Sequence, residues 1–275
     1  MDDSERLLYE KYNGKKTPEY AQDLTRLALG EPLAYVIGWI PFLGCKIFLD
    51  SHPLIPRPET EYWVEQALTS ITHSAQRITK KGENPALRVP SYELRVLDLF
   101  AGSGAIGIAV LRHVPNARVD FGEIDERHFP TIRKNIAENI QENHIDTKNP
   151  RGFLVSTRII HTDVWSGIRD TYDIVFANPP YLSKNRTEKI QKSVLAHEPK
   201  TALFAEDDGF ALIEKTIFGL PNHLVSGGQC YIEHEPEHRE RIHALAGELG
   251  MTAETHPDQY GILRYSRLER ITHNP

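Results

Sequence analysis

One stretch of this 275-residue chain constrains its fold more than any other: an apolar run at 95–99 that leads into a turn with glycines at 102, 104 and 107. The apolar run is typical of a buried strand, and the residues that follow have the spacing of a helix over about 105–112. Glycine lets the backbone turn sharply and approach a ligand where a Cβ would collide. This order indicates a ligand-binding edge of an α/β sheet.

The alternation of strands and helices continues to the end of the chain. Further strands are predicted at 118–124, 158–161, 172–177 and 229–233, and further helices at 126–142, 212–220 and 236–249. The last part, 252–256 and 262–268, predicts a β-hairpin. Repeated strand–helix units favour a doubly wound, mainly parallel α/β sheet with right-handed crossovers. Such sheets bind ligands beyond the carboxyl ends of their strands.

Composition and turn residues divide the chain into four parts: a short N-terminal helical region (1–30), a linker with a β-hairpin (31–71), a polar loop (72–92) and the main α/β domain (93–275). The linker contains the segment 54–61 (LIPRPETE). The three prolines at 53, 56 and 58 exclude a helix before Pro58, so we expect the next helix to begin at Thr60. Glycine and prolines between 72 and 92 indicate a loop.

Charge and cysteine content exclude several classes of protein. The formal net charge is −6, which argues against nucleic acid as the main partner, because proteins that bind mainly through phosphate contacts are usually basic. Cys45 and Cys230 lie too far apart to suggest a disulfide framework or a metal site. The polar N-terminus lacks an export signal, and no stretch reaches the roughly 18 apolar residues of a membrane helix. We therefore expect a cytoplasmic protein with no metal and no membrane partner.

The glycine turn is compatible with two classes of enzyme. Residues 102–107 (GSGAIG) match the dinucleotide fingerprint, with Glu123 near the distance of its ribose-binding acid, so a nicotinamide enzyme, a methyltransferase and a purely structural turn remain open. Asp98 suits the cationic sulfonium and ammonium of S-adenosylmethionine better than a pyrophosphate, which prefers backbone donors. Asp163 can accept a hydrogen bond from an adenine amino group while Val164 covers the ring, although Asp163 is also a common turn residue.

The strongest chemical signal is Asn178, Pro179, Pro180 and Tyr181, named here the diproline corner, directly after the apolar strand at 172–177. Two prolines end the strand and stiffen its exit. The Asn178 side-chain oxygen and the Pro179 carbonyl are then two fixed acceptors for the N–H groups of a planar NH2, which orients the nitrogen and stabilises developing positive charge. Tyr181 offers a flat aromatic face. A loop that merely begins with Asn-Pro-Pro is the alternative.

These motifs together resemble a known group of enzymes. The run at 98–106 (DLFAGSGAI) followed by the diproline corner looks like the class I methyltransferases that act on exocyclic amino or amide nitrogens. Three flanking stretches, 30–38 (GEPLAYVIG), 54–61 (LIPRPETE) and 197–204 (HEPKTALF), are similar to stretches of the HemK/PrmC family, the peptide chain release factor glutamine methyltransferases. The likeness extends over 24–268, almost the whole chain.

The resemblance implies a class I methyltransferase fold, Rossmann-like, with a seven-stranded sheet and a shortened N-terminal helical region. It implies methyl transfer from S-adenosyl-L-methionine, which leaves S-adenosyl-L-homocysteine, to the glutamine N5 of the Gly-Gly-Gln loop of a release factor. The cofactor residues would be Asp98, Phe100, Ala101, Gly102, Ser103, Gly104, Glu123, Asp163, Val164 and Asn178. The catalytic residues would be Asn178, Pro179, Pro180 and Tyr181, which would bind the substrate together with Arg57 and Glu59. Alternatively, Arg57 and Glu59 form a surface ion pair of little energetic value.

Departures from the family pattern keep other functions open. Phe100 and Ala101 stand where the family usually has Gly-Thr, and Glu123 replaces the commoner aspartate. The first departure motivates a non-catalytic cofactor-binding module. The diproline corner is shared with enzymes that methylate adenine N6 or cytosine N4 of nucleic acid. A nicotinamide oxidoreductase is disfavoured, because no hydride-transfer constellation accompanies the glycine turn.

Overall fold

The computed structural model describes residues 1–79, 93–114, 116–140, 157–185, 188 and 192–271. The N-terminal part contains three helices and a hairpin: α1 (Asp3–Glu10), α2 (Pro18–Ala28), α3 (Leu33–Ile37), β1 (Trp39–Phe42) and β2 (Cys45–Phe48). Asp2 and Glu5 form a capping box at the start of α1, and Thr17 caps α2 ahead of Pro18. These local signals explain why short helices form where the sequence predicts them.

The next helix, α4 (Pro58–Thr79), differs from the sequence prediction at both ends. It begins two positions before Thr60, because proline is tolerated in the first helical turn, where its missing N–H would have no partner. The prediction of a loop over 72–92 is wrong for 72–79, which continue the helix without an interrupting glycine or proline. The remainder of that predicted loop, 80–92, lies outside the described residues.

Seven strands form the central sheet: β3 (Leu94–Leu99), β4 (Ala117–Glu123), β5 (Arg158–His161), β6 (Tyr172–Ala177), β9 (Leu224–Glu233), β10 (Met251–Pro257) and β11 (Leu263–Arg270). Two more, β7 (Leu182–Ser183) and β8 (Phe204–Ala205), pair with each other. The order in the sheet is β10-β11-β9-β6-β3-β4-β5. The parallel strands are β3, β4, β5, β6 and β9. The hairpin of β10 and β11 is antiparallel and pairs with β9 through β11. The predicted sheet is confirmed. The direction in which successive strands are added reverses between the neighbours β3 and β6, and ligands bind at such a switch point.

The remaining helices are α5 (Ala105–His113), α6 (Phe129–Asn139), α7 (Lys192–His197), α8 (Ala211–His223) and α9 (Arg239–Glu248). The prediction of a single helix over 126–142 is wrong at its start, because a 3-10 helix at Glu126–His128 precedes α6. Pro130 in the first turn of α6 explains the break, because proline favours a new helix start. Positions 141 and 142 lie outside the described residues.

Alternate residues of the strands supply two hydrophobic cores, one on each face of the sheet. Val96 and Phe176 belong to the core that α4, α5 and α6 cover, whereas Leu97 and Val175 belong to the core covered by α8 and α9. Because successive strand residues point to opposite faces, both faces of the sheet need apolar side chains. This double burial fixes the strand register, and with it the residues that emerge at the carboxyl edge.

Candidate active site

Strand register brings the candidate site residues to one edge of the sheet. Leu99 at the end of β3 lies opposite Ala177 at the end of β6, and Ala177 lies opposite Ile232 in β9. The residues that follow these positions therefore leave the sheet side by side. The glycine turn, Asn178 and Glu233 therefore lie along one edge of the sheet, although 129 positions separate Gly104 from Glu233.

The turn after β3 contains three residues with left-handed backbone. Phe100, Gly102 and Gly104 have φ values of 66°, 55° and 79°. Glycine adopts this conformation freely, but it is strained for Phe100. Glu123 at the end of β4 accepts a hydrogen bond from the Gly102 N–H at 2.7 Å and another from the Asp125 N–H at 2.8 Å. The predicted ribose-binding acid thus lies directly against the glycine turn.

Other members of the turn are buried. Ala101 and Ser103 are 8% and 2% exposed, and the Ser103 carbonyl accepts a hydrogen bond from Asn135 Nδ2 at 2.9 Å. Their contribution to the edge of the sheet is therefore backbone rather than side chain.

Asp98 supports the turn from the core side, which differs from the direct ligand contact that the sequence suggests. Its side chain is 1% exposed, and its Oδ2 accepts a hydrogen bond from the Gly107 N–H in α5 at 2.8 Å. Burial raises the pKa of Asp98 to about 8; the Gly107 hydrogen bond lowers it and the neighbouring Glu123 carboxylate raises it. At neutral pH this carboxyl group is largely protonated.

The segment after β5 provides one accessible and one buried side chain. Asp163 is exposed, and its carboxylate forms an ion pair with Lys215 at 2.9 Å. Its carbonyl also accepts a turn hydrogen bond from the Ser166 N–H at 3.1 Å. Val164 is 3% exposed and has a φ of 53°, which is strained for a β-branched residue. The Asp163 carboxylate can therefore meet a ligand above an apolar residue.

Glu233, at the end of β9, holds the diproline corner in place. It is 1% exposed, and its Oε1 accepts a hydrogen bond from the Tyr181 hydroxyl at 2.7 Å. Its Oε2 accepts from Thr60 Oγ1 at 2.7 Å and from Trp63 Nε1 at 2.6 Å. Asn178 Nδ2 in turn donates to Thr60 Oγ1 at 3.3 Å. Burial of the hydroxyl raises the pKa of Tyr181 well above its usual value, and the Glu233 carboxylate raises it further, so the phenol keeps its proton.

Arg57 joins two of the flanking motifs. Its Nη2 donates to Glu198 Oε1 at 2.7 Å, and the Glu198 side chain is 1% exposed. The other oxygen of Glu198 accepts from the Ile55 N–H at 3.2 Å. The alternative surface pair between Arg57 and Glu59 is thus wrong, because a buried carboxylate from the 197–204 motif takes the guanidinium.

A cavity of about 430 Å³ opens at the diproline corner. Its lining residues are Leu54, Arg57, Pro58, Glu59, Asn178, Pro179, Tyr181, Leu182, Val194, Ala202, Leu203 and Glu233. The volume lies in the range of small-ligand sites, roughly 300–1,000 Å³. Five predicted substrate residues therefore share one cavity, whereas Pro180 is buried and is not part of the lining.

Three residues of this network were not predicted from the sequence as site residues: Trp63, Glu198 and Glu233. Glu198 lies inside a motif that the resemblance already marked. Glu233 carries a signal of its own, since it is an acidic residue at the carboxyl end of the predicted strand 229–233. Trp63 showed only the apolar spacing of a helix face.

Within the ranges described above, no group of three or more His, Cys, Asp or Glu side chains could hold a metal ion. Cys45 and Cys230 are buried free thiols. In the same part of the chain, none of the helices combines the length and the apolar character that a membrane crossing requires.

Comparison with known proteins identifies the family. The model of the methyltransferase small domain matches residues 85–209. The release factor glutamine methyltransferase of Lactococcus lactis is 30% identical over 242 residues, covering 88% of this chain and 78% of the relative. That of Bordetella pertussis is 31% identical over 251 residues, covering 90% and 81%. The solved hMettl16 catalytic domain, in complex with the MAT2A 3'UTR hairpin 6, shares the fold, with a TM-score of 0.56, 14% identity and coverage of 84% of this chain and 77% of that one. The chain is a methyltransferase and belongs to the family of release factor glutamine methyltransferases.

Proposed function

We propose that this protein transfers a methyl group from S-adenosyl-L-methionine to the side-chain N5 of the glutamine in the Gly-Gly-Gln motif of a peptide chain release factor. The observation that carries the proposal is the cavity in which Asn178 and Pro179 share one lining with Arg57 and Glu59. The names of the relatives support the choice of substrate. S-adenosyl-L-homocysteine would be the second product.

The carboxyl edge of the sheet fits this cofactor. Glu123 and Asp163 supply carboxylate acceptors at the ends of the neighbouring strands β4 and β5, suited to ribose hydroxyls and to an adenine amino group. Val164 supplies an apolar surface for the ring, and the left-handed turn at 100–104 lets the backbone approach closely. When bound, S-adenosyl-L-methionine supplies an electrophilic methyl group on a sulfonium. Asn178 borders this region from β6.

The diproline corner supplies what the reacting amide needs. An amide nitrogen is a weak nucleophile, because its lone pair is delocalised into the carbonyl group. Asn178 Oδ1 and the Pro179 carbonyl accept its two N–H groups, hold the nitrogen in place and stabilise the positive charge that develops on it. The Tyr181 ring gives the amide a flat face, and the hydrogen bond to Glu233 fixes that ring. Pro180 stiffens the corner from behind.

Charge around the cavity disfavours a nucleic-acid substrate. Arg57 is paired with the buried Glu198, which offsets the positive charge that a phosphate would need. Glu59 and Glu233 add acidic groups to the same wall. A non-catalytic binding module is disfavoured as well, because Phe100 keeps the left-handed backbone that a glycine would adopt there. The turn therefore retains its course despite the sequence departure.

The test is to incubate the purified protein with labelled S-adenosyl-L-methionine and a release factor, and to map the label by mass spectrometry. We expect one methyl group on the glutamine of the Gly-Gly-Gln motif. Asn178→Ala should lower kcat/KM by about 100-fold or more, as for other fixed groups that stabilise developing charge. Asn222→Ala, at an exposed position in α8, serves as the matched control. Label on nucleic acid instead, or unchanged turnover in Asn178→Ala, would refute the proposal.

A further inference from the structure

Glu233 is buried beneath the diproline corner, and its carboxylate accepts three hydrogen bonds from side chains. Its two carboxylate oxygens accept from Tyr181, Thr60 and Trp63 at 2.6–2.7 Å. Arg264 lies close enough to interact electrostatically with this carboxylate. A buried carboxylate is costly unless hydrogen-bond donors satisfy it, and here three donors do so. The carboxylate is therefore a fixed acceptor in the wall of the cavity.

The donors and acceptors behind the corner can be arranged in one way. A Thr60 hydroxyl has a single proton, and the hydrogen bond to Glu233 uses it. Thr60 Oγ1 can then only accept from the next group, which is the Asn178 side chain at 3.3 Å. The Asn178 amide must turn its NH2 group towards Thr60. Its Oδ1 is consequently left for a ligand in the cavity.

We propose, on the basis of the function proposed above, that Thr60 and Glu233 are positioning residues that fix the orientation of the Asn178 amide and thereby make the pocket select an NH2-bearing side chain over a carboxylate. Glutamine presents two N–H donors to Asn178 Oδ1 and the Pro179 carbonyl. Glutamate presents lone pairs to the same two acceptors and is repelled. Specificity for glutamine would then depend on hydrogen bonds of Thr60 and Glu233 that act on the substrate amide through Asn178.

Tyr181 forms a second branch of the same hydrogen-bond network. Its hydroxyl donates to Oε1 of Glu233, while Thr60 and Trp63 donate to Oε2. One carboxylate therefore aligns both the amide acceptor and the aromatic face of the corner. A glutamine at position 233 would direct its NH2 group either at the Tyr181 hydroxyl or at the donors of Thr60 and Trp63. Either orientation of the glutamine amide breaks one branch of the network.

The experiment compares two forms of a release factor, one with glutamine and one with glutamate in the Gly-Gly-Gln motif, by their Kd for the protein in the presence of S-adenosyl-L-homocysteine. The wild type should prefer the glutamine form. Thr60→Val keeps the shape but removes the acceptor, so Asn178 can turn its NH2 to a carboxylate. We expect the preference to fall about tenfold, the effect of one hydrogen bond, and kcat to fall by a similar factor with the KM for the cofactor unchanged.

Three further variants complete the test. Thr60→Ser keeps the hydroxyl and should therefore keep the preference for glutamine. Glu233→Gln should reduce the preference by a separate route, because an NH2 donor then replaces one of the two carboxylate acceptors. Thr216→Val removes another fully buried threonine hydroxyl, one that donates to the Leu212 carbonyl in α8, and should leave the preference as in the wild type.

A wild type that methylates the glutamine while Thr60→Val and Glu233→Gln keep its preference would overturn this inference alone. A wild type that methylates no release factor would overturn the proposed function.

Discussion

The two halves of the site are held by different kinds of interaction. On the substrate side, buried side chains bridge distant parts of the chain: Arg57 reaches Glu198 across 141 positions, and Thr60 reaches Glu233 across 173. On the cofactor side the interactions are mostly local, and the Glu123 contact to the glycine turn spans 21 positions. The substrate cavity is thus a product of the complete fold, whereas the cofactor turn belongs to one strand–turn–helix unit.

Backbone strain is also distributed unevenly between the halves. Phe100 and Val164 adopt left-handed conformations on the cofactor side. The diproline corner instead has ordinary backbone, stiffened by its prolines and anchored by Glu233. Strained residues persist where surrounding structure imposes them, and they cluster at ligand sites. The comparison suggests that one half depends on hydrogen bonds between side chains and the other on the path of the backbone.

The largest effect should come from Glu198→Ala on the substrate side. The change leaves Arg57 without its buried partner and the Ile55 N–H without its acceptor, so we expect unfolding to require about 3 kcal/mol less free energy. Urea denaturation measures this difference. Glu206→Ala is the matched control, because its ion pair with Lys184 is largely exposed and should be worth under about 1 kcal/mol. Equal losses in the two variants would remove the distinction between a buried and a surface pair.

The second prediction concerns pH and the cofactor side. The pKa of Asp98 in the folded chain is about 8, above its ordinary 3.8, so between these values the folded protein keeps a proton that the unfolded chain releases. Stability from this group is therefore present at low pH and is lost as pH rises towards 8. Asp98→Asn should remove this contribution, which amounts to about 1.4 kcal/mol per pH unit for one proton.

The measurement for Asp98 is the free energy of unfolding of both proteins at several values between pH 5 and 7.5. The wild type should lose stability with rising pH faster than Asp98→Asn. Parallel curves would show that the buried carboxyl group is not protonated in the folded protein.

The smallest expected effect tests strain in the glycine turn. Phe100→Gly and Phe100→Ala both remove the ring, but only alanine keeps a Cβ at a φ of 66°. Phe100→Gly should therefore be more stable than Phe100→Ala by about 1 kcal/mol, although glycine is usually the less stable choice. Thermal unfolding of the two variants measures this. The reverse order would show that the turn relaxes away from the left-handed region when the ring is absent.

The same contrast explains what could be predicted from sequence. The glycine turn and the diproline corner are local signals, and strand order at the edge follows from the rules of doubly wound sheets. The acceptors Glu198 and Glu233 were missed as site residues, because their partners lie far away in the chain and only packing brings them together. Asp98 was expected at the ligand, but its hydrogen bond to Gly107 depends on how α5 sits on β3. The helical course of 72–79 was missed because polar composition there resembles that of a loop.

The most direct test of the central claim is a structure of the protein with S-adenosyl-L-homocysteine and a release factor bound. The informative quantities are the distances from the glutamine amide nitrogen to Asn178 Oδ1 and to the Pro179 carbonyl oxygen. We expect both to be about 2.9 Å, with the amide against the Tyr181 ring. A glutamine held outside the cavity, or an Asn178 NH2 group directed at it, would contradict the role assigned to the diproline corner.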